Sequence, residues 1–277
     1  VTVGDSALER GRAILDWYAT NRRDLPWRRD VDAYRTLVSE AMLQQTQVER
    51  VIPRFVAFVE TWPTVSDLAS AQLLDVLALW SGLGYNSRAT RLHRAAIQID
   101  REGWPTSVEG LRALPGVGPY TAAAIASIAF GKPVPAVDTN LRRILSRWSG
   151  EVLTGAGLRA AAEAAVVVPA GDWNQSMMDL GSTICRPRSP RCSACPVQQW
   201  CADPTVYEPP PRQARFEGSR RQLRGSIVRA HLEGRDPVAT GESIGRSRTD
   251  VLAVIDELRS EGLLPTHGSR GVGFSDG

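Results

Sequence analysis

One lysine, Lys132, stands among 33 basic residues; the other 32 are arginine. Chemistry that needs an amine nucleophile therefore has one side chain available in the whole chain. Long apolar runs are missing too. No stretch approaches the about 20 residues that span a bilayer, which excludes a transmembrane helix and a membrane partner. The polar segment Val1 to Arg12 has no apolar signal-peptide core, so the expected location is cytoplasmic and nucleoid-associated. Histidines are few, and His93, His231 and His267 match no ligand or triad spacing. Net charge is only +3, which gives no strong global pull on polyanions. What remains is an ordinary globular composition, 43% hydrophobic and 23% charged, which excludes a mostly disordered chain.

The first two hundred residues read as helices and loops. Helical spacing predicts segments over 6–20, 33–47, 50–62, 64–80, 87–101, 121–130 and 140–148. Each is bounded by Gly, Pro or a capping Ser, Thr or Asp. No period-2 strand pattern appears before residue 220, so this body is expected to be all-α. Pro204, Pro209, Pro210 and Pro211 mark a stiff linker. Beyond it, helices are predicted over 222–232, near Thr240–Gly245 and over 247–261. A short hairpin from Gly262 to about Phe274 follows. That order is the layout of a winged helix.

All four cysteines fall within 17 residues, as Cys185-x6-Cys192-x2-Cys195-x5-Cys201. Nothing indicates secretion, so a disulfide framework is a poor reading. Four thiolates suit tetrahedral zinc. They equally suit a [4Fe–4S] cluster, and spacing alone does not separate the two. Arg186, Arg188 and Arg191 in the same loop offer cations to phosphate.

Leu114-Pro-Gly-Val-Gly-Pro-Tyr-Thr121 lies between two helical segments. Gly116 and Gly118 permit a tight turn and a close backbone approach to an anion. The following helix starts near Thr121 and adds partial positive charge there, a combination that suits a DNA phosphate. Twenty residues after Gly118 comes Asp138, opening a helix where aspartate is a favoured cap.

The LPGVG-x-x-T string and the cysteine loop resemble those of the helix-hairpin-helix DNA glycosylases. Within that superfamily, Ser39-Glu40-Ala-Met-Leu-Gln44-Gln45-Thr46 resembles the signature of the MutY-type adenine glycosylases. Pro26-Trp27-Arg28, Trp80-Ser-Gly-Leu-Gly-Tyr85 and Asn174 to Gly181 fit in the same order. The likeness covers roughly residues 15–202.

The resemblance implies a two-lobed helical body with an iron–sulfur loop. The implied domains are 1–23 with 136–202 around the cluster, a six-helix barrel over 24–135, a linker over 203–218 and the winged-helix-like part over 219–277. It implies a [4Fe–4S] cluster on Cys185, Cys192, Cys195 and Cys201. The implied reaction is monofunctional excision of adenine mispaired with 8-oxoguanine or guanine in double-stranded DNA by a monomer. Glu40 is then the acid that protonates the flipped base, and Asp138 faces the sugar cation. Asn140 positions Asp138 and the attacking water, and Gln175 reads the adenine edge. Gln45 and Tyr85 form the wedge that fills the vacated stack. Arg28, Gly116, Gly118 and Thr121 join the DNA-binding set. Tyr120 occupies the position where bifunctional relatives keep a lysine, and Lys132 sits at a helix-to-loop exit. That implies an intact abasic product.

Two features depart from the family pattern. The 76 residues after Cys201 are too few for a linker and the usual Nudix-like domain that recognises 8-oxoguanine, and Asp138-Thr139-Asn140 replaces the usual Asp-Gly-Asn. Between 212 and 229 stand six arginines, at 212, 215, 220, 221, 224 and 229, against the single acid Glu217, a stripe suited to phosphates. Two alternatives stay open: a thymine or uracil mismatch glycosylase of the same fold, and a noncatalytic iron–sulfur winged-helix DNA-binding protein.

Overall fold

The structure is a computed structural model that describes residues 3–209 and 215–265. Among them no strand occurs, and no helix is long and apolar enough to cross a membrane. The all-α expectation holds. The helices in chain order are α1 (Val3–Asn21), α2 (Ala33–Leu43), α3 (Val48–Thr61), α4 (Val65–Ser70), α5 (Leu73–Trp80), α6 (Ser87–Glu102) and α7 (Val108–Arg112). Then come α8 (Pro119–Ile128), α9 (Thr139–Ser149), α10 (Gly155–Ala165), α11 (Ala170–Thr183), α12 (Arg220–Leu232), α13 (Pro237–Ser243) and α14 (Arg248–Ser260).

Two differences from the sequence reading have local causes. The segment expected as one helix over 64–80 is two, because Ala71 is extended at φ −69°, ψ 150° and Gln72 caps a new start. Residues 44–47 leave α2, since Gln45 takes φ 55°. The predicted hairpin lies mostly outside the described residues.

Of the described residues, 3–40 and 101–209 form one compact unit, and 41–100 and 215–265 form another. The core of the first joins Ile14 of α1, Leu141, Ile144 and Leu145 of α9 and Trp173, Met177 and Leu180 of α11. Small residues bring its helices close. A Cβ on Gly171 would sit 3.0 Å from the Ile128 Cα, so α11 passes tightly under the end of α8. In the second unit Phe58 packs edge-on against Trp62 and Trp80, at 4.8 and 6.3 Å between ring centroids. Its C-terminal part is a three-helix cluster in which Leu223, Ile227, Val251, Val254, Ile255 and Leu258 are buried. Ser219, Asp236 and Ser247 cap α12, α13 and α14 through their side chains.

Candidate active site

Three acidic side chains meet in the first unit. Glu40 projects from α2, Tyr120 from the start of α8, and Asp138 caps α9. Glu40 is buried at 7% exposure. Burial pushes its carboxyl up to about 7, and the nearby Asp138 charge adds to that rise. A hydrogen bond from the Tyr120 hydroxyl and the positive charge of Arg28 pull the other way. Burial dominates because an ionised carboxylate loses its hydration there. The Tyr120 phenol is held well above its ordinary value by burial and by the two carboxylates, and its oxygen lies 3.6 Å from Met178 Sδ.

Asp138 does two jobs at once. Its Oδ1 accepts the Leu141 amide at 2.7 Å, the bond of an ordinary helix cap. Its Oδ2 accepts from Asn140 Nδ2 at 2.7 Å. Burial raises this carboxyl too, while those donors hold it toward the ionised form. The segment delivering Asp138 is fixed by Asn174, whose Oδ1 accepts from the Ala136 amide at 2.8 Å and whose Nδ2 donates to the Val134 carbonyl at 2.9 Å. Asn140 is fixed in turn by Arg143, which donates to its Oδ1 at 2.9 Å and to the carbonyls of Gly181 and Cys185 at 2.8 and 2.9 Å. Gly181 has to be glycine, since a Cβ would stand 2.5 Å from that of Asn140.

Gln175 is buried, and its Oε1 accepts the Tyr18 hydroxyl at 3.0 Å, which leaves the amide NH₂ as its donor. Arg28 is committed to a bidentate pair with Asp179, at 2.7 and 3.0 Å. Asp179 also takes Arg23 Nε at 2.7 Å, and its carboxyl lies below the ordinary range because of these hydrogen bonds and charges, against the opposing effect of burial. Gly116 has φ 79°, as the turn requires. Gly118 is an extended cap at φ −83°, and a Cβ there would meet nothing within 4 Å. Its value is open space before the amides of α8. Thr121 is buried inside that first turn.

In the second unit Gln45 and Tyr85 stand on two loops, each with a left-handed backbone, φ 55° and 48°. Both are exposed, Tyr85 at 40%. One residue that the sequence reading missed holds both loops. Arg88 donates from Nη1 to the carbonyls of Ala41, Met42 and Gln44, at 2.8, 2.9 and 2.6 Å. From Nη2 it donates to the Leu83 and Gly84 carbonyls at 3.0 Å each and to Thr46 Oγ1 at 3.1 Å. Its signal was present in the sequence. Arg88 lies in phase with Leu92, Ala95, Ala96 and Ile99, a charged residue on the apolar face of α6.

The four cysteines line one cavity of about 150 Å³, together with Ile144, Leu180 and Ile184. None forms a disulfide. Among the described residues no three His, Cys, Asp or Glu side chains close on a single ion. A cavity of this size ringed by four thiols fits a cluster with a sulfur from each corner. Burial pushes the Cys195 thiol up to about 11, and the other three cysteines add to this, so loading a cluster must displace protons. Arg147 donates to Cys185 Sγ at 3.1 Å and to the Arg186 carbonyl at 2.9 Å, neutralising thiolate charge.

The arginine stripe is only partly free for phosphate. Arg220 and Arg224 pair with Glu257, and Arg224 pairs also with Glu261. Arg221 donates to the Tyr85 hydroxyl at 2.7 Å. Arg212 lies outside the described residues.

Known proteins place this arrangement. Residues 38–152 match the HhH-GPD superfamily of base excision DNA repair proteins, and residues 185–201 match the iron–sulfur binding domain of endonuclease III. The fold and the paired carboxylates therefore define a base excision DNA glycosylase with an iron–sulfur loop. The chain is 40% identical over 263 residues to the adenine DNA glycosylase of Mycolicibacterium smegmatis, covering 91% of this chain and 88% of that one. It is 46% identical over 209 residues to the human adenine DNA glycosylase, covering 68% of this chain and 38% of that one. Among solved structures, a thermostable thymine-DNA glycosylase superposes with a TM-score of 0.67 at 29% identity, over 72% of this chain and 96% of that one. The chain belongs to the adenine DNA glycosylase family.

Proposed function

We propose that this protein hydrolyses the N-glycosidic bond of adenine mispaired with guanine or 8-oxoguanine in duplex DNA and leaves an intact abasic site. One observation carries the reading: a buried carboxyl at Glu40, raised to about 7, shares a site with the capped carboxylate of Asp138. Two carboxyls pushed apart in role by environment are what cleavage of a glycosidic bond asks for.

Glu40 gives its proton to N7 of the flipped adenine. The C1′–N9 bond then breaks with its electron pair going to the base, which leaves neutral. Asp138 faces the sugar cation that remains. Water adds to C1′, and its proton passes to a carboxylate, which restores the starting charge. Tyr120 donates a hydrogen bond to Glu40 and offers no amine, so the sugar is not captured as an imine. Gln175 presents its amide to the edge of the base. Gln45 and Tyr85 enter the stack beside the estranged partner.

Cys185, Cys192, Cys195 and Cys201 would hold the [4Fe–4S] cluster, which would supply structural crosslinking of the loop rather than a catalytic group. Arg143 then ties the loop carbonyl of Cys185 to Asn140 and so to Asp138.

The test uses duplexes carrying A, T or U opposite G or 8-oxoguanine, followed by alkali. Adenine release with alkali-dependent breakage is the expected result. Release of thymine alone would favour the mismatch reading suggested by the thymine-DNA glycosylase neighbour. Breakage without alkali would contradict the intact abasic product.

A further inference from the structure

Tyr18 stands in the last turn of α1, 6% exposed, and takes no part in the excision steps. Its hydroxyl donates to Gln175 Oε1 at 3.0 Å, a buried bond that joins residues 157 apart in the chain. The ring carries the Arg28 guanidinium, 5.8 Å from its centroid. Arg28 is held there by Asp179, which is wholly buried and sits one turn beyond Gln175 on α11. Helix α11 therefore supplies both ends of a clamp, with Tyr18 and Arg28 between them. The positive charge of Arg28 acts on both Tyr18 and Glu40, which sets this clamp beside the acid.

The Tyr18 bond fixes the sense of the amide as well as its place. A glutamine amide is an acceptor on one side and a donor on the other, and a half-turn about its Cγ–Cδ bond exchanges the two. Burial holds the Tyr18 phenol above its ordinary value, against the pull of Arg28, so the oxygen keeps its proton at neutral pH and donates. That donor selects the amide with Oε1 toward Tyr18 and the Nε2 hydrogens turned away. Turned over, the amide would face the phenol with a second donor, and the buried hydroxyl proton would lose its acceptor. Adenine and hypoxanthine differ on the edge that such an amide reads. Adenine carries an amine at C6 and an acceptor at N1, whereas hypoxanthine carries an acceptor at C6 and a proton on N1. An amide that fits one of them must turn over to fit the other.

We propose that Tyr18 is a positioning residue that sets the donor–acceptor sense of the Gln175 amide and so makes the site choose adenine over hypoxanthine. The proposal rests on the adenine-excision reading and deepens it by naming what decides the base.

The experiment follows single-turnover release of adenine and of hypoxanthine by the full chain, each opposite guanine in the same duplex sequence, and reads the ratio of the two rates. Tyr18→Phe keeps the ring under Arg28 and frees the amide. The adenine-to-hypoxanthine ratio should fall about tenfold, within the discrimination that a bidentate amide–base contact supplies. Both rates come from one preparation, so a loss of folded protein cancels in the ratio. In a Gln175→Ala background the same substitution should leave the ratio within about twofold, since no amide remains to be oriented. A ratio in Tyr18→Phe within about twofold of the parent would overturn the proposal. An equal fall in the Gln175→Ala background would overturn it too, and would assign Tyr18 to packing. Adenine release by the parent separates this proposal from the reading it rests on. With that release intact, an unmoved ratio removes only the role of Tyr18; with no adenine released, the excision reading fails and the role of Tyr18 falls with it.

Discussion

The two units handle polar groups in opposite ways. Around Glu40, Tyr120 and Asp138 the side chains are buried or half-buried, and their chemistry is set by lost hydration. Around Gln45 and Tyr85 the side chains are exposed, and what is constrained is the backbone, held in a left-handed conformation that L-residues seldom adopt. One region tunes proton affinity; the other fixes the position of exposed side chains. Each depends on a buried arginine that never touches the reacting atoms. Arg143 fixes the partner of Asp138, and Arg88 fixes the loops that carry Gln45 and Tyr85. The difference teaches that damage in the first region should appear in kcat and its pH dependence, and damage in the second in DNA affinity.

The hardest test of that division is Asp138→Asn. Asparagine caps a helix as well as aspartate does, so the fold and duplex binding should persist. On the proposed mechanism this removes the carboxylate charge that would face the sugar, and kcat should fall about 10⁴-fold. Single-turnover adenine release at saturating duplex measures it. An equal loss of duplex affinity would erase the distinction between the two regions.

Glu40→Gln comes next, with about 10³-fold expected in kcat from the loss of a general acid. The parent chain should itself lose activity as pH rises through about 7, where Glu40 gives up its proton. The same carboxyl makes a stability prediction. Its folded value lies above its ordinary 4.5, so the stability it contributes is full below pH 4.5 and lost as pH rises through about 7. The loss amounts to about 3 kcal/mol at most. Melting curves of Glu40→Gln and the parent should therefore diverge in favour of the glutamine as pH rises from 5 to 8.

How much of this was legible beforehand depends on what kind of information each residue carries. Glu40, Asp138 and the four cysteines were readable because string and spacing mark them, and the helices around them follow their own periodicity. The value of Glu40 was readable only as a requirement, since burial is a property of packing between α2, α8 and α9. Arg28 holds its guanidinium on Asp179, a pairing that spans 151 residues and that no local pattern announces. The single helix expected over 64–80 failed at Ala71, where neither glycine nor proline marks the break. Arg88 was legible in principle, as a charge on an apolar stripe, but its partners are mostly carbonyls, at the end of α2 and in two loops, and carbonyls leave no trace in a sequence.

Arg88→Met breaks the second region without touching the first. Six hydrogen bonds from one buried guanidinium would vanish and leave carbonyls unpaired, at a cost of about 2–4 kcal/mol. The methionine keeps the apolar stem, so α6 should still pack. A lower Tm is expected, together with duplex affinity reduced about tenfold. At saturating duplex the rate of adenine release should change less than the affinity does. A larger change in rate than in affinity would mean that the loops take part in the chemistry.

The smallest expected effect is the most diagnostic of the first region. Tyr120 donates to Glu40, and that bond favours the ionised carboxylate, so it lowers a value that burial raises. Tyr120→Phe removes the donor and keeps the ring. Glu40 should then hold its proton to higher pH, and the descending limb of the rate profile should move alkaline, by less than one pH unit. The rate on the acid side should change little, since Glu40 is protonated there in both proteins. A limb that moves toward acid would show that the phenol stabilises the protonated acid instead, and that burial alone does not set the proton affinity of this site.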